Sequence, residues 1–215
     1  MNLKYKYNYI IEFFSKNMPN AQTELSYKNP FQLLVAVILS AQCTDKRVNL
    51  ITPALFKKYK TPSQLANAKF EDVFPFIASC SYPNSKTRHI IEMSKMLIND
   101  FNGEIPSDIN LLVKLPGVGR KTANVVASVI FGKPTMPVDT HVKRVSERIG
   151  LIKNARSLLQ IEKQLIKNIP ESELNAAHHW LILHGRYVCK ARNPKCNICG
   201  ISKVCDFYSK NLKTN

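Results

Sequence analysis

The sequence predicts an all-α protein, and three observations support this. Apolar residues recur at helical spacing, as in Ile90, Met93 and Leu97, and such spacing places side chains on one face of a helix. Alternating strand patterns are scarce. At the usual length of about 11–12 residues each, we expect about ten helices. Turn residues mark the boundaries between them at Asn29-Pro30, Thr61-Pro62, Pro83-Asn84, Asn102-Gly103 and Ile105-Pro106-Ser107.

Taken in chain order, the first element is a helix that carries Tyr9–Phe14 and stops before Pro19. The stretch Val125–Phe131 is rich in β-branched residues, but its place between a glycine-containing turn and Gly132 favours a helix over a buried strand. A later apolar stripe indicates another helix and consists of Leu158, Ile161, Leu165 and Ile169.

Composition and charge define the class of protein. Of 215 residues, 45% are hydrophobic and 21% are charged, which is typical of a folded chain and not of a disordered one. The longest apolar run, Leu33–Leu39, is far too short to span a membrane. With 31 basic and 15 acidic residues the chain carries +16, and the usual partners of such a surface are nucleic acid, anionic membrane or acidic protein. Because no amphipathic membrane anchor is visible, nucleic acid is the favoured partner.

The first 19 residues indicate the cellular compartment in which the protein is expected. The segment Met1–Pro19 contains several charged residues and lacks the uninterrupted apolar core of a secretory signal. We therefore expect a monomeric protein in a reducing compartment, the cytoplasm of a prokaryote close to its nucleoid. Cys43 and Cys80 are expected to be small buried residues in that setting.

The motif Leu115–Ala123 reads Leu-Pro-Gly-Val-Gly-Arg-Lys-Thr-Ala. One helix, about Asp108–Lys114, is expected to end there and another to begin, because the two glycines permit a positive φ or a close backbone approach. The first N–H groups of the second helix would lie at the positive end of its dipole and bind a phosphate of any DNA sequence. An ordinary helical corner is the alternative, but the proline, the Arg-Lys pair and the +16 charge favour the phosphate site. Its expected DNA contacts are Leu115, Gly117, Val118, Gly119 and Arg120.

Lys121 falls in the first turn of that second helix. A solvated or phosphate-binding lysine is one interpretation. A helix N-terminus disfavours an ammonium ion, however, and we expect partial burial to do the same. A neutral amine can attack C1′ of a sugar and form a Schiff base. Asp139 precedes another helix-like run; alone it indicates an N-cap, and beside such chemistry it would also stabilise a cationic sugar or accept a proton.

Four cysteines near the C-terminus form the pattern Cys189-x6-Cys196-x2-Cys199-x5-Cys205. Thiols this close in sequence can ligate tetrahedral zinc or a [4Fe-4S] cluster, and the spacing leaves both open. Disulfides are not favoured, because no secretory signal is visible. The loop is basic as well, and its expected DNA contacts are Lys190, Arg192 and Lys195.

Three histidines lie just before these cysteines, at positions 178, 179 and 184. Their separations do not place a pair at i, i+4 on one helix face. Packing and hydrogen bonding are therefore favoured over a second metal site.

Taken together, these features resemble the endonuclease III family of DNA glycosylases over nearly the whole chain. Each short motif is weak alone, but their order and spacing are highly specific. The matching stretches are Leu39–Asp45, Pro83–Lys86, Leu115–Ala123, Val138–His141, His178–Arg186 and the four cysteines.

The resemblance implies two helical domains with damaged double-stranded DNA in a cleft between them. A six-helix domain, residues 21–133, would contain a helix-hairpin-helix, and residues 1–20 with 134–215 would form a domain that carries a [4Fe-4S] cluster on the four cysteines. Lys121 resembles the catalytic lysine of the family and Asp139 its catalytic aspartate. Gln42 matches the glutamine that fills the gap left by a flipped nucleotide. Tyr82 stands where many relatives have a leucine wedge, and an aromatic ring can also stack between bases.

The function implied is removal of oxidised pyrimidines, followed by cleavage of the abasic site by β-elimination through a lysine Schiff base. One alternative is a monofunctional mismatch glycosylase, which generally lacks the nucleophilic lysine. Another is a DNA-binding or redox protein without catalysis. Lys121 and the end of the chain at Asn215 argue against the first alternative. The pairing of Lys121 with Asp139 argues against the second, because a pure binder does not need an amine beside a carboxylate.

Overall fold

The structure, a computed structural model, describes residues 1–211 and is helical throughout, with no strand in that range. More helices are present than the ten expected, because the shortest ones hold too few residues to show a periodic pattern. None of the described helices is long and apolar enough to cross a membrane. The α-helices are α1 (Leu3–Asn17), α2 (Pro30–Ser40), α3 (Asp45–Lys58), α4 (Pro62–Ala66), α5 (Phe70–Ile77), α6 (Pro83–Phe101), α7 (Ile109–Leu112), α8 (Arg120–Phe131), α9 (Thr140–Ile149), α10 (Leu158–Asn168), α11 (Leu174–Tyr187) and α12 (Asp206–Asn211).

The chain divides into two compact units, each with its own apolar core. The inserted unit, Glu24–Phe131, carries α2 to α8. The terminal unit combines Met1–Thr23 with the chain from Gly132 onward and carries α1 and α9 to α12. Buried side chains form one cluster in each unit. The assignment of these units as a hairpin domain and a cluster domain stays a prediction.

Helix α2 lies at the centre of the inserted unit. Asn29 caps it by accepting from the Gln32 N–H at 2.9 Å, and Pro30 occupies the first turn, where its missing N–H costs no hydrogen bond. The apolar run Leu33–Leu39 is buried on every side, as expected of a helix that is hydrophobic all round. The predicted stripe on α6, with Met93 at its middle, is fully buried against the same core.

Helix α1 completes the core of the terminal unit. The Phe14 ring stacks on Trp180 with centroids 6.0 Å apart, and Trp180 Nε1 donates to the Met18 carbonyl at 2.9 Å. The helix ends at Asn17, before Pro19, as the sequence predicted. In α10 the predicted stripe is only partly buried: Leu158 is 53% exposed. It is the first residue of that helix, where the packed face has not yet begun.

Candidate active-site residues and cysteine centre

The Gly117 turn connects α7 to α8 as the sequence predicted, although α7 is shorter than the expected Asp108–Lys114. The Val118 N–H donates to the Leu115 carbonyl at 3.0 Å and closes the turn. Gly117 has φ +79°, and a Cβ there would lie 2.9 Å from Cβ of His89 in α6. Both the backbone angle and the close packing therefore require glycine. Leu115 and Val118 are buried, so only their backbone groups, and not their side chains, are placed to meet a ligand.

The first turn of α8 begins at a residue that has no side chain to cap the helix. The Ala123 N–H donates to the Gly119 carbonyl at 2.9 Å, which makes Gly119 the N-cap residue, and this residue has no side chain to cap the helix. No heavy atom lies within 4 Å of a Cβ built on Gly119. Arg120 and Lys121 follow, both exposed, with no acid in the first turn. The partial burial expected for Lys121 is wrong, because its position in the first turn points it away from the packed face of α8.

Gln42 and Tyr82 share an uncommon backbone conformation. Both are non-glycine residues in the left-handed region, with φ 53° and 55°, a conformation that costs an L-residue about 1–2 kcal/mol. Such strain persists where the surroundings hold it, and it is concentrated at ligand clamps and active sites. Both side chains are exposed, Tyr82 to 63%. The sequence pattern alone does not show this strain.

Hydrogen bonds connect the segment that contains Gln42 to the segment that contains Tyr82, which are called the two strained segments below. Ser81 Oγ donates to the Gln42 carbonyl at 2.7 Å. Lys86, only 5% exposed, donates from Nζ to the carbonyls of Leu39 at 2.7 Å and Ala41 at 2.6 Å. Burial lowers the pKa of Lys86, while the two carbonyl acceptors favour its charged form. Lys86 therefore fastens the start of α6 to the end of α2, a role that the sequence reading missed.

The same two helices support the turn at Gly117. Its nearest neighbours are His89 of α6 and Ile38 of α2. The turn thus packs against the helices whose ends carry Gln42 and Tyr82. In the inserted unit the fold gathers the predicted phosphate site and both predicted DNA-inserting residues on one framework.

Asp139 lies in the terminal unit as the N-cap of α9. Its Oδ1 accepts from the N–H groups of His141 and Val142, both at 2.8 Å. Burial lowers the pKa of His141, and the charge of Asp139 opposes that shift. The cap interpretation is therefore confirmed, and it fixes the carboxylate at the positive end of a helix dipole.

Two arginines of α9 connect this helix to the cysteine loop. Arg144 donates to the carbonyls of Gly185 at 2.8 Å and Cys189 at 3.1 Å. Arg148 donates to the Lys190 carbonyl at 2.6 Å and approaches Sγ of Cys189 at 3.5 Å. Sequence reasoning missed both arginines, because their partners are backbone carbonyls more than 40 positions away.

The four predicted cysteine ligands line one cavity in the terminal unit. None of the six cysteines forms a disulfide. Burial raises the pKa of Cys199 and of Cys205, and the neighbouring thiols add to both shifts, so a bound cation would relieve a real electrostatic cost. Within residues 1–211 no three His, Cys, Asp or Glu groups converge closely enough to hold a single ion.

The remaining predicted residues are placed as follows. Lys190, Arg192 and Lys195 are all exposed on the cysteine loop. The histidines at 178, 179 and 184 are buried, and burial lowers the pKa of His179 to about 4 and of His184 to about 4. His179 and His184 are therefore neutral near pH 7, and all three histidines are packed in the interior, as expected. His184 Nε2 lies 3.7 Å from Sγ of Cys199.

Comparison with known proteins agrees with this arrangement. Residues 35–171 match the model of the HhH-GPD superfamily base excision DNA repair proteins, a class defined by a helix-hairpin-helix. The chain belongs to this superfamily and, within it, to the endonuclease III family. It is 54% identical to endonuclease III of Rickettsia conorii over 96% of this chain and 97% of that protein, and 43% identical to endonuclease III of Escherichia coli K12 over 94% and 95%.

Solved structures give the same picture. A trapped covalent intermediate of an endonuclease III with DNA is 46% identical, with a TM-score of 0.93, and the match covers 99% of this chain and 100% of that one. A non-covalent endonuclease III–DNA complex matches equally well, at 45% identity and a TM-score of 0.93 over the same shares. A thermostable thymine-DNA glycosylase has a TM-score of 0.86 at 23% identity, over 96% of this chain and 98% of that one, and shares the fold.

Proposed function

We propose that this protein removes oxidised pyrimidines from double-stranded DNA and cleaves the resulting abasic sites. It is a bifunctional DNA glycosylase and abasic-site lyase of base excision repair. The observation that carries the proposal is the start of α8: an exposed lysine follows directly after a glycine turn that suits a phosphate. Such an amine is placed to react with a sugar whose phosphate the turn holds.

The first step is extrusion of the damaged nucleotide, because C1′ cannot be attacked inside a stacked and paired duplex. Gln42 fills the gap in the base stack, and the Tyr82 ring wedges between bases. Their shared left-handed backbone supports this role, since the bonds from Ser81 and Lys86 hold both residues in place before DNA arrives. A held conformation loses less freedom on binding.

The second step is base release. The amine of Lys121 attacks C1′ and loses a proton, the bond from C1′ to the base nitrogen breaks, and the base leaves after taking up a proton. Asp139 stabilises the positive charge that develops on the sugar. Its carboxylate can do this while Oδ1 keeps the α9 cap, because the charge is shared by both oxygens.

The third step is strand cleavage. The imine formed between Lys121 and C1′ acidifies the C2′ proton. Loss of that proton drives the electron pair toward C3′, and the bond from C3′ to the phosphate oxygen breaks. Water then hydrolyses the imine and restores the lysine. The trapped covalent intermediate known for a 46% identical endonuclease III supports a covalent route here.

The cysteine cavity would hold a [4Fe-4S] cluster through Cys189, Cys196, Cys199 and Cys205. With all four irons bound to cysteine, such a cluster would have no open position for chemistry and would hold the cysteine loop rigid. Arg144 and Arg148 pass that rigidity to α9, whose first residue follows Asp139. The pinned loop presents Lys190, Arg192 and Lys195 for binding to phosphates.

Two further properties complete the proposal. The protein acts as a monomer on damaged double-stranded DNA, and it works in a prokaryotic cytoplasm next to the nucleoid. Neither a monofunctional mismatch glycosylase nor a non-catalytic redox protein is favoured, because the relatives in Rickettsia conorii and Escherichia coli, at 54% and 43% identity, are endonucleases III.

Borohydride trapping tests the proposal in one experiment. The protein is incubated with a duplex that contains either thymine glycol or an abasic site, and borohydride reduces any imine to a stable adduct. We expect an adduct on both substrates and peptide mapping to Lys121. A monofunctional enzyme would release the base without an adduct, and a pure binder would do neither. An adduct on Lys143 or on the N-terminal amine would contradict the assignment of the nucleophile.

A further inference from the structure

Two cysteines outside the metal centre approach each other in the inserted unit. Sγ of Cys43 lies 3.7 Å from Sγ of Cys80. Cys43 is half-buried and Cys80 is buried. Neither residue has a part in the chemistry of the proposed function, and each would serve alone as a small apolar side chain. Their contact joins two segments that are 37 positions apart in the chain.

The position of this pair distinguishes it from two chance neighbours. Cys43 directly follows Gln42, and Cys80 stands two residues before Tyr82. Ser81, which follows Cys80, donates from Oγ to the Gln42 carbonyl at 2.7 Å and connects the two segments. The thiol pair therefore lies at the base of both strained segments, which hold the two residues proposed to enter the DNA.

We propose that Cys43 and Cys80 form a reversible disulfide that switches off insertion into duplex DNA. The inference rests on the proposed roles of Gln42 and Tyr82. Closing the bond shortens the sulfur separation from 3.7 Å to about 2.05 Å, and the fixed geometry of a disulfide draws together the two segments that carry these side chains. A displacement of about 1 Å at a positioning group can cost on the order of 10²-fold in rate.

The oxidant is a low-molecular-weight disulfide such as glutathione disulfide. The thiolate of Cys43 attacks one of its sulfurs and displaces the first glutathione. Cys80 then attacks Sγ of Cys43, the mixed disulfide breaks, and the second glutathione leaves. The protein loses two electrons and two protons, and one glutathione disulfide becomes two molecules of glutathione.

The environment of the two thiols sets the order of these steps. Burial, followed by the contact with Cys43, raises the pKa of Cys80 to about 11, so Cys80 keeps its proton until the mixed disulfide has formed. Cys43 is the more exposed of the two and reacts first. The cysteines of the metal centre lie in the other unit and are separate targets.

The test begins without DNA. The metal-loaded protein is incubated with glutathione disulfide in the absence of oxygen, free thiols are alkylated, and the unreduced digest is searched by mass spectrometry for a peptide that links Cys43 to Cys80. We expect this peptide, and we expect dithiothreitol to remove it. Complete alkylation of both cysteines under these conditions would overturn the proposal.

Two activities are then measured on the oxidised protein. Release of thymine glycol from a duplex should fall at least 10-fold and return after reduction. Cleavage of an abasic site in single-stranded DNA should change less than twofold, because no base pair has to be opened there. A linked peptide with an unchanged duplex rate would also overturn the proposal.

The matched control is Cys43→Ala, which removes a half-buried thiol and keeps the core. This variant should retain the duplex activity of the reduced protein and lose its sensitivity to the oxidant, with visible absorption showing that the metal centre is intact. If the oxidant lowered the duplex activity of this variant as much as that of the wild type, the proposal would be overturned. Because the linked peptide is measured without DNA, its absence contradicts the thiol pair alone, whereas a reduced protein without either activity contradicts the proposed function alone.

Discussion

The N-termini of α8 and α9 differ in the charge that the protein places at the positive end of the helix dipole. Every α-helix begins with N–H groups that have no partner in the helix and with the positive end of a dipole. Helix α9 supplies its own anion, since Oδ1 of Asp139 accepts from two N–H groups at 2.8 Å. Helix α8 begins after Gly119, which has no side chain, and its first turn holds Arg120 and Lys121 without an acid.

The difference supports the proposal that α8 binds an external phosphate. At α9 the negative charge is built into the protein, where it can also stabilise a cationic sugar. At α8 two cations sit at the positive end of a dipole, an arrangement that an external phosphate makes favourable. Four measurements test this difference between the two helices.

The largest effect is expected from Lys121→Ala. Without the amine no imine can form, so borohydride trapping and strand cleavage should fall to background. Most DNA affinity should remain, because the phosphate site uses backbone groups. The neighbouring variant Arg120→Ala is the matched control, since it removes a cation from the same turn and should keep trapping. Cleavage of abasic DNA at the wild-type rate by Lys121→Ala would contradict the assignment.

Cys199→Ser should act on α9 and leave the framework of α8 intact. Loss of a metal centre belongs to the few changes that cost more than about 4 kcal/mol. We expect lower iron content, a lower melting temperature and weaker DNA binding together, because Arg144 and Arg148 tie α9 to this loop. Iron analysis, calorimetry and binding titration measure these. Cys43→Ser, a change at a half-buried cysteine of the other unit, is the control. A variant that lost its iron but kept full affinity and melting temperature would rule out a structural role.

Substitutions of Asp139 separate its two roles at α9. Asparagine is as good an N-cap as aspartate, so Asp139→Asn should keep the melting temperature while base release slows by about 10²-fold or more. Asp139→Ala should lose the cap as well, at a cost of about 0.5–2 kcal/mol of stability. Single-turnover base release and thermal unfolding of both variants give the answer. If Asp139→Asn released bases normally, the carboxylate would be a cap and nothing more.

The smallest effect concerns the phosphate at α8. Binding should weaken steeply with salt, by about 0.9 log units of affinity per log unit of salt for each phosphate contacted. Arg120→Ala should reduce that slope by the amount expected for about one phosphate contact. Lys16→Ala, in the last turn of α1, should not change the slope. Titrations between low and physiological salt measure the slopes. A wild-type slope near zero would exclude this mode of binding.

Local sequence signals predicted much of the fold. Asn29-Pro30 and Thr61-Pro62 begin α2 and α4, each with a side-chain cap, because capping chemistry depends only on neighbouring residues. The Val125–Phe131 stretch is helical in α8, as its flanking residues indicated. Helix α7 was expected over about Asp108–Lys114, but it covers only Ile109–Leu112. Its bounds could not be predicted, because a periodic pattern needs more than one turn.

The site was predicted less evenly. The residue types were found through the resemblance, whereas their conformations depend on distant contacts. The left-handed backbone of Gln42 and Tyr82 is held by Ser81 and Lys86 across more than 38 positions, and no local pattern encodes it. The exposure of Lys121 was missed for a similar reason, since burial is decided by the packing of the whole helix.

The discontinuous terminal unit imposes an order on how the protein is made. Helix α1 leaves the ribosome first, yet its partners Leu151 and Trp180 are synthesised after the whole inserted unit. At about 5–20 residues per second, α1 waits several seconds or more with its apolar face exposed. The inserted unit is continuous in sequence and can fold during that time. The cysteine loop follows α1, α9, α10 and α11 in the chain, so it is synthesised after the other helices with which it packs in this unit.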